Sequence, residues 1–184
     1  VHYAYSLGGK LKQVGLPSGN IVNYDYDIKG QLSGIRLNNQ SFIGNIQHSV
    51  NGIKGWQYSQ VGDQVKFQYD LDGRIKKILM PNVYDKNYSY DTADRILAIT
   101  DPTNSNTNSS FKHDALSRLI EQSLANKTFK YTYDANSNRL TRNQTVNGTA
   151  TTENYTTQSG NNRINTITQG TNSKTYSYLA TGQI

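Results

Sequence analysis

Aromatic residues recur along this chain in pairs two residues apart, each followed by Asp and a short polar segment. Four full copies of the phrase span 24–32, 67–75, 88–96 and 131–140. A spacing of two places both rings of a pair on one face of a β-strand. Asp followed by Gly, Asn or Ser favours a tight turn, because the carboxylate accepts hydrogen bonds from turn amides and Gly or Asn tolerates left-handed backbone. Alternating apolar residues follow, so each copy predicts a β-hairpin.

The second aromatic of each pair sets the period of the repeat. It falls every 20 to 23 residues, with one gap of 43 that spans two periods, and we expect an eroded copy around 46–53 in that gap. The aligned positions are Tyr5, Tyr26, Tyr69, Tyr90, His113, Tyr133, Tyr155 and Tyr178. The pattern predicts that 1–184 is a single array of about eight hairpin units. Because the chain begins without Met and stops in mid-unit, we expect it to be truncated at both ends.

The composition fits an extended sheet better than a compact core. Hydrophobic residues make up 34% of the chain, and fourteen are Tyr, which offers apolar area and a hydroxyl together. We therefore predict an all-β fold in which tandem hairpins form a long, curved antiparallel sheet. Disorder is the competing interpretation of so polar a chain, but the regular aromatic spacing argues against it. We expect bulges or kinks at the eroded copy and where His113 replaces Tyr.

The charge pattern and the cysteine count narrow the function classes. The formal net charge is +6, and a basic stripe with stacked Tyr would suit nucleic acid. Alternatively, each Arg pairs with a turn Asp or stacks on a repeat aromatic. We favour that interpretation and expect no nucleic-acid partner, because the Arg residues follow the repeat: Arg74, Arg95, Arg118, Arg139 and Arg163. The chain has no Cys, and we expect neither a membrane-spanning segment nor a signal peptide.

No group of residues has the pattern of a catalytic, cofactor or metal site, and we predict no enzyme activity and no cofactor. The three His residues are far apart and lack metal-ligand spacing. The segment 70–73 resembles the start of a calcium loop, but the other ligands of such a loop are absent. The repeat Asp residues are interpreted as turn formers rather than as acid–base pairs: Asp27, Asp70, Asp91, Asp114 and Asp134.

One feature supports a second interpretation. Trp56 is the only Trp, and Tyr58 lies two residues further along the same strand. Exposed rings at this spacing can stack on sugars, so a carbohydrate- or surface-binding adhesion module is an alternative function. The simpler interpretation, which we favour, is that Trp56 belongs to the aromatic face of the sheet.

The phrase Tyr-x-Tyr-Asp-x-x-Gly-Arg-Leu resembles the YD repeat of the Rhs proteins, whose family includes the C components of bacterial Tc toxins and the animal teneurins. The match covers essentially the whole chain and is clearest at 24–35, 67–81, 88–102 and 131–142. The resemblance implies a sheet of hairpins that spirals into a hollow shell. In Rhs and Tc proteins such a shell holds a C-terminal polypeptide toxin. The lack of Cys favours a bacterial rather than an animal member of the family.

The resemblance sets the expected partners and location. We expect toxin cargo and the rest of a parent shell as partners, with surface glycans under the alternative function. The parent is expected to be a longer bacterial protein that is secreted, lies at the cell surface or is delivered by a secretion system. The family's self-cleaving region has no match here, so neither autoproteolysis nor toxin activity is expected, although autoproteolysis is kept as a rival to be tested. As an excised piece the sheet would have free edges that favour edge-to-edge association.

Overall fold

The computed structural model describes residues 1–59 and 61–182. In these residues the chain forms seventeen β-strands and one short 3-10 turn, Ser105–Thr107, without an α-helix. The strand pairs described below are all antiparallel and join strands that are consecutive in the sequence. The predicted class, all-β with tandem hairpins, is confirmed.

Unit 1 comprises Val1–Tyr88 and Asp101–Thr103. Each strand pairs with the next, from β1 through β9. The last two residues of β9, Ser89 and Tyr90, are assigned to unit 2. The strands are β1 (His2–Tyr5), β2 (Leu11–Gly15), β3 (Ile21–Tyr26), β4 (Leu32–Leu37), β5 (Gln40–Ser49), β6 (Gly52–Tyr58), β7 (Gln64–Tyr69), β8 (Ile75–Met80) and β9 (Tyr84–Tyr90).

Unit 2 comprises Ser89–Thr100 and Asn104–Ile184. Here too each strand pairs with its successor, from β10 to β17. The strands are β10 (Ile96–Thr100), β11 (Ser109–His113), β12 (Leu119–Leu124), β13 (Lys127–Tyr133), β14 (Arg139–Val146), β15 (Thr149–Thr157), β16 (Ile164–Gln169) and β17 (Asn172–Thr175).

A one-residue bulge occurs at the same place in most hairpins, just after the turn. For example, Tyr26 pairs with Leu32 and Asp25 with Gly34, so Ser33 is left without a partner. The bulge expected at His113 is present, but it is a property of the repeat and not of the His substitution. The same shift occurs at Ala4/Tyr5, Asp25/Tyr26, Gln68/Tyr69, Lys112/His113, Thr132/Tyr133 and Thr156/Thr157.

The eroded copy is a hairpin built from β5 and β6. His48 pairs with Ile53 directly after a register shift, which is the position that the second aromatic takes in the other hairpins. An additional shift between Gly44 and Gln47 interrupts β5, and Asn45 there has a left-handed φ of 51°. The expected irregularity at this copy is therefore confirmed.

One aligned position needs correction. In the β15–β16 hairpin the residue that pairs across the bulge is Thr157, opposite Ile164, and Tyr155 lies two residues earlier, in the slot of the first aromatic. The sequence alignment placed Tyr155 two residues from its structural position. The reason is that Thr157 occupies the position of the second aromatic and that the turn after it is longer than in the other copies.

Burial is shallow throughout the array. Among the described residues only Val14 and Val65 are buried hydrophobic side chains, and the repeat aromatics are mostly half-buried. Strand hydrogen bonds and side-chain contacts between neighbouring hairpins therefore carry more of the stability than a central core does.

Candidate functional site: the Asp-centred turns and the aromatic face

The repeat Asp closes its own turn. The Oδ1 atom of Asp114 accepts hydrogen bonds from the backbone amides of Leu116 and Arg118, both at 2.9 Å. The residue between them, Ser117, is left-handed with a φ of 62°. Equivalent Oδ1 bonds form at Asp27, Asp70, Asp91 and Asp134. The interpretation of these Asp residues as turn formers matches this geometry.

The second carboxylate oxygen of the turn holds the Arg four residues later. The Nε atom donates to Oδ2 at 2.7 Å in each of three turns: Asp70–Arg74, Asp91–Arg95 and Asp114–Arg118. In the segment that resembles a calcium loop, Arg74 also lies 3.0 Å from Asp72. A guanidinium therefore occupies the space between these carboxylates and neutralises them.

These bonds stabilise the charged form of the turn Asp. The pKa of Asp91 lies below its ordinary value, first because the backbone amide of Arg95 donates to it. That effect and the bond from the Arg95 guanidinium outweigh the opposing effect of burial. The pKa of Asp114 is lowered for the same reasons, with Arg118 as donor. Both carboxylates are thus held ionised, which suits a structural ion pair and not a general acid.

The same Arg side chains bind the next hairpin. Arg95 Nη1 donates to the backbone carbonyl of Asp114 at 2.8 Å, and Arg118 Nη1 donates to that of Asp134 at 3.0 Å. In unit 1, Lys10 Nζ reaches the carbonyl of Gly30, 2.6 Å away in the following turn. Within each unit, side chains of one turn therefore link it to the following turn.

The copy at 131–140 departs from the sequence interpretation. Asn138, not Arg139, occupies the position four residues after Asp134, and its Nδ2 donates to Asp134 Oδ2 at 2.8 Å and to Asn162 Oδ1 at 3.0 Å. Arg139 pairs across the bulge with Tyr133 and lies over the rings of Tyr131 and Tyr155, 5.6 and 4.8 Å from their centroids. The turn has the same length as in the other copies, so Arg139, which stands one residue later in the phrase, takes the position that Leu119 or Ile75 holds elsewhere, opposite the second aromatic.

Every repeat Arg has a structural contact of the kind expected. Arg74, Arg95 and Arg118 pair with turn Asp residues, as described above. Arg139 stacks on repeat aromatics, and Arg163 lies 5.3 Å from the centroid of the Tyr178 ring. The hypothesis of Arg–Asp pairing and Arg–aromatic stacking is therefore supported at all five positions.

The second aromatic donates to a carbonyl beside the bulge of the preceding hairpin. Tyr133 Oη donates to the carbonyl of Leu119 at 2.7 Å. The corresponding bonds join Tyr26 to Leu11 at 2.8 Å and Tyr69 to Ile53 at 2.7 Å. In the eroded copy, His48 Nε2 lies 2.7 Å from the carbonyl of Leu32. Since a carbonyl only accepts, that nitrogen carries the proton, and His48 replaces a Tyr hydroxyl.

His113 also occupies the second-aromatic slot, opposite Leu119 in the register of β11 and β12. Its Nδ1 is shielded from solvent and has no hydrogen-bond partner in residues 1–59 and 61–182. Those same residues contain no group of three or more His, Cys, Asp or Glu side chains that could hold a metal ion. His113 is thus placed as an aromatic substitute within the sheet.

Trp56 packs within the sheet of unit 1. Its ring lies 5.2 Å from that of Phe67, and Tyr58 contacts Phe42 edge-on at 6.0 Å. The Nε1 atom of Trp56 is shielded from solvent without a partner among the described residues. Trp56 also borders a pocket of about 400 Å³ whose other polar lining includes Gln47, Gln64 and Gln68.

The sequence interpretation missed one buried acidic group. Asp101 is 2% exposed and accepts bonds from the backbone amide and hydroxyl of Thr103, while Lys86 lies 3.3 Å away. The bond from the Thr103 hydroxyl contributes most to lowering the pKa of Asp101 to about 2, against the effect of burial. The Asp-Pro pair in a polar loop gave no indication of this environment.

The hairpin array matches solved structures of Tc toxin complexes. The crystal structure of TcdB2-TccC3-Cdc42 has a TM-score of 0.76 and 18% identity over 88% of this chain. TcdB2-TccC3-TEV gives 0.76 and 19% over 89%, and the Photorhabdus luminescens Tc holotoxin pore gives 0.74 and 18% over 91%. In each case the match covers 10% of the other chain, so this chain spans about a tenth of their length.

At these identities the similarity establishes the fold. The expected resemblance to a Tc toxin component of the YD-repeat type is confirmed at that level. No protein-family model matches the sequence, and no curated protein matches it significantly. No helix within residues 1–59 and 61–182 is long and apolar enough to cross a membrane.

Proposed function

We propose that this chain is a segment of a shell wall of the Rhs/YD-repeat type, which helps to enclose a C-terminal polypeptide toxin or effector and is itself non-catalytic. The main support is that side chains of one turn bind the following turn, as Arg118 does between Asp114 and Asp134. A wall needs continuous cohesion between neighbouring hairpins, and these contacts supply it without a deep core.

The fold similarity supports the same proposal. The matched structures are Tc toxin complexes, one of them described as lacking a hypervariable C-terminal region. By analogy, the partners of this chain are the polypeptide cargo and the remaining hairpins of a parent shell. The parent is then a bacterial protein that is secreted or delivered to a surface, with this chain as part of its wall.

The test is protease protection in the full parent protein. The C-terminal segment should be digested much more slowly within the parent than when the same segment is produced alone. Replacing Arg95 and Arg118 together by Ala should weaken the wall and speed digestion, whereas Thr92→Ala, at an exposed turn position, should not. Equal digestion rates in the intact parent and in the isolated segment would contradict the proposal.

Autoproteolysis is tested separately with this chain. Prolonged incubation of the purified chain, followed by mass spectrometry, should show a single intact mass. Time-dependent fragments that persist with protease inhibitors would contradict the non-catalytic part of the proposal.

Carbohydrate binding stays as the second candidate because Trp56 borders a pocket with several amide side chains. Trp56 is the sole Trp of the chain, so its fluorescence reports directly on that pocket. A saturable fluorescence change with a neutral or acidic oligosaccharide, lost in Gln64→Ala, would favour adhesion. No change across a glycan panel would remove this candidate.

A further inference from the structure

Arg139 in unit 2 carries a positive charge that no carboxylate neutralises by direct contact. In three other copies the Arg of the phrase forms an ion pair with its turn Asp. In the copy at 131–140, Asn138 takes that place on Asp134. Within residues 1–59 and 61–182, the guanidinium of Arg139 has neither an ion pair nor a hydrogen bond. Its N–H groups are therefore available to a ligand.

Two aromatic rings hold this guanidinium in place. Its central carbon lies 4.8 Å from the centroid of Tyr155 and 5.6 Å from that of Tyr131. Contact of a guanidinium with ring faces is electrostatic and does not consume its N–H donors. Because the side chain of Arg139 is already positioned by the rings, it loses little conformational freedom when it binds a ligand.

Arg139 borders a cavity of about 230 Å³, and two further donors line it, Thr157 and Asn162. Asn138 Nδ2 donates to Asn162 Oδ1 at 3.0 Å, which fixes the orientation of the Asn162 amide. In the described part of the chain, neither Asn162 Nδ2 nor the Thr157 hydroxyl has an acceptor. Three side-chain donors without protein acceptors thus surround one cavity, which is the chemistry of an anion site.

Glu153 limits the charge that the cavity accepts. Its carboxylate accepts bonds from the Tyr155 hydroxyl and from Arg142 Nη1, the latter at 3.0 Å. The pKa of Glu153 is lowered, first by the Tyr155 hydroxyl and then, against the effect of burial, by Arg142 and the more distant charge of Arg139. The negative charge of Glu153 therefore acts at Arg139 in return and opposes a ligand that carries two negative charges.

The shape of the donors and the wall of the cavity narrow the ligand further. A planar guanidinium matches the two oxygens of a carboxylate, with which it can form two parallel hydrogen bonds. Tyr155 and Ile164 give the cavity an apolar wall beside the donors. A monoanionic carboxylate on a short apolar stem combines these features.

We propose that this cavity is a binding site for a carboxylate on a short apolar stem. Arg139 is the charged donor of the site, and Thr157 and Asn162 are its neutral donors. The stem lies against Tyr155 and Ile164. Two sources supply this chemistry, a free organic acid or an acidic side chain of another polypeptide.

The test is an NMR titration of the ¹⁵N-labelled chain with butyrate at neutral pH and constant ionic strength. We expect saturable shifts at residues that line the cavity, and none with butyramide, which has the same shape without the charge. Methyl phosphate, mainly a dianion at neutral pH, should bind more weakly than butyrate. Methyl phosphate that binds as tightly as butyrate overturns the assignment to a carboxylate.

Three variants locate the site. Arg139→Gln should weaken butyrate binding at least about tenfold, because it removes the charged donor. Thr157→Val keeps the branched shape, loses only the hydroxyl and should weaken binding about threefold. Lys127→Gln is the matched control, since it removes one positive charge at an exposed position of β13 outside the cavity and should leave the affinity unchanged. Equal losses in Lys127→Gln and Arg139→Gln indicate general charge attraction and overturn the proposal.

Circular dichroism checks that each variant is folded, because Arg139 also contacts two rings. If Arg139→Gln does not fold, Thr157→Val decides, and an unchanged affinity in that folded variant overturns the proposal.

A peptide distinguishes the two sources of the carboxylate. The tripeptide acetyl-Ala-Glu-Ala-amide presents a similar acidic stem within a polypeptide, and its Gln analogue is the neutral match. Tighter binding of the Glu peptide than of butyrate supports an acidic polypeptide segment as the ligand, and the reverse order supports a small organic acid. Absence of saturable shifts with both carboxylates, up to their solubility limits, overturns the proposal.

Discussion

The hydroxyl of Tyr133 donates a 2.7 Å hydrogen bond to the carbonyl of Leu119, the residue beside the bulge of the preceding hairpin. Leu119 pairs with His113 next to the bulged residue Ile120, and the Tyr133 hydroxyl satisfies the Leu119 carbonyl from the following hairpin. This bond explains why the repeat retains an aromatic with a polar tip at that position. The ring covers the neighbouring hairpin while the hydroxyl satisfies its backbone.

Replacing Tyr133 by Phe should therefore destabilise the chain by about 1 kcal/mol, since the Leu119 carbonyl loses its donor in a partly buried site. Tyr131→Phe is the matched control, because the Tyr131 hydroxyl has no hydrogen-bond partner in the described part of the chain. Urea unfolding followed by circular dichroism measures both. Equal losses in the two variants would contradict the role assigned to the Tyr133 hydroxyl.

Arg118 supports two turns at once, with Nε on the Asp114 carboxylate and Nη1 on the Asp134 carbonyl. Arg118→Lys keeps the charge but loses the planar guanidinium, whose separate nitrogens Nε and Nη1 make the two bonds. We expect a loss of about 1–2 kcal/mol in unfolding free energy. Lys174→Gln, at an exposed position in β17, should have little effect in the same assay. A Lys variant as stable as the wild type would show that the link between turns contributes nothing.

Gly55 lies where β6 and β7 approach closely. A Cβ added there would lie 2.5 Å from the backbone oxygen of Val65, so Gly55→Ala should destabilise the hairpin by about 1–3 kcal/mol. Gly15→Ala is the control, since its added Cβ would meet His2 Cβ at an ordinary 3.5 Å. Thermal melts of the two variants should differ clearly. A Gly55→Ala chain whose melting temperature equals or exceeds that of Gly15→Ala would contradict the close approach of β6 and β7.

The carboxylate of Asp101 makes the stability of the folded chain depend on pH in the acid range. Its pKa falls from an ordinary 3.8 to about 2 in the folded chain, chiefly through the Thr103 hydroxyl. The folded state therefore holds the proton less tightly than the unfolded state, and the stability from this group is fully present above pH 4 and lost as the pH falls towards 2. The melting-temperature gap between wild type and Asp101→Asn should be constant from pH 7 to about 4 and shrink below it. A melting-temperature gap that widens as the pH falls would contradict the lowered pKa of Asp101.

Much of the fold could be read from the sequence because its determinants are local. A spacing of two between Tyr24 and Tyr26, followed by Asp27 and Gly30, specifies a strand and a turn within a few residues. The pairing of Arg with the turn Asp also follows from a short separation, as in Asp91 and Arg95. Repetition of one phrase then indicates that each hairpin pairs with the next.

Other features depend on contacts between residues far apart in sequence. The burial of Asp101 beside Lys86 and the use of His48 as a donor to Leu32 join residues about 15 apart, which no local pattern specifies. Arg139 leaves its expected role because the turn keeps its usual length and places Arg139 opposite Tyr133, a register that only strand pairing reveals.

The hairpin unit, its period and the roles of Asp and Tyr follow from local sequence, because turn chemistry and the alternation of residues act within each copy. Contacts between hairpins set which carbonyl Tyr133 satisfies and how Arg95 and Arg118 reach the next turn, and they leave exposed aliphatic residues in four turns of unit 1: Leu7, Ile28, Val50 and Leu71. Those outcomes depend on how successive hairpins are placed beside one another. That placement is set by bulges and by strand register, which belong to pairs of strands and not to any one segment.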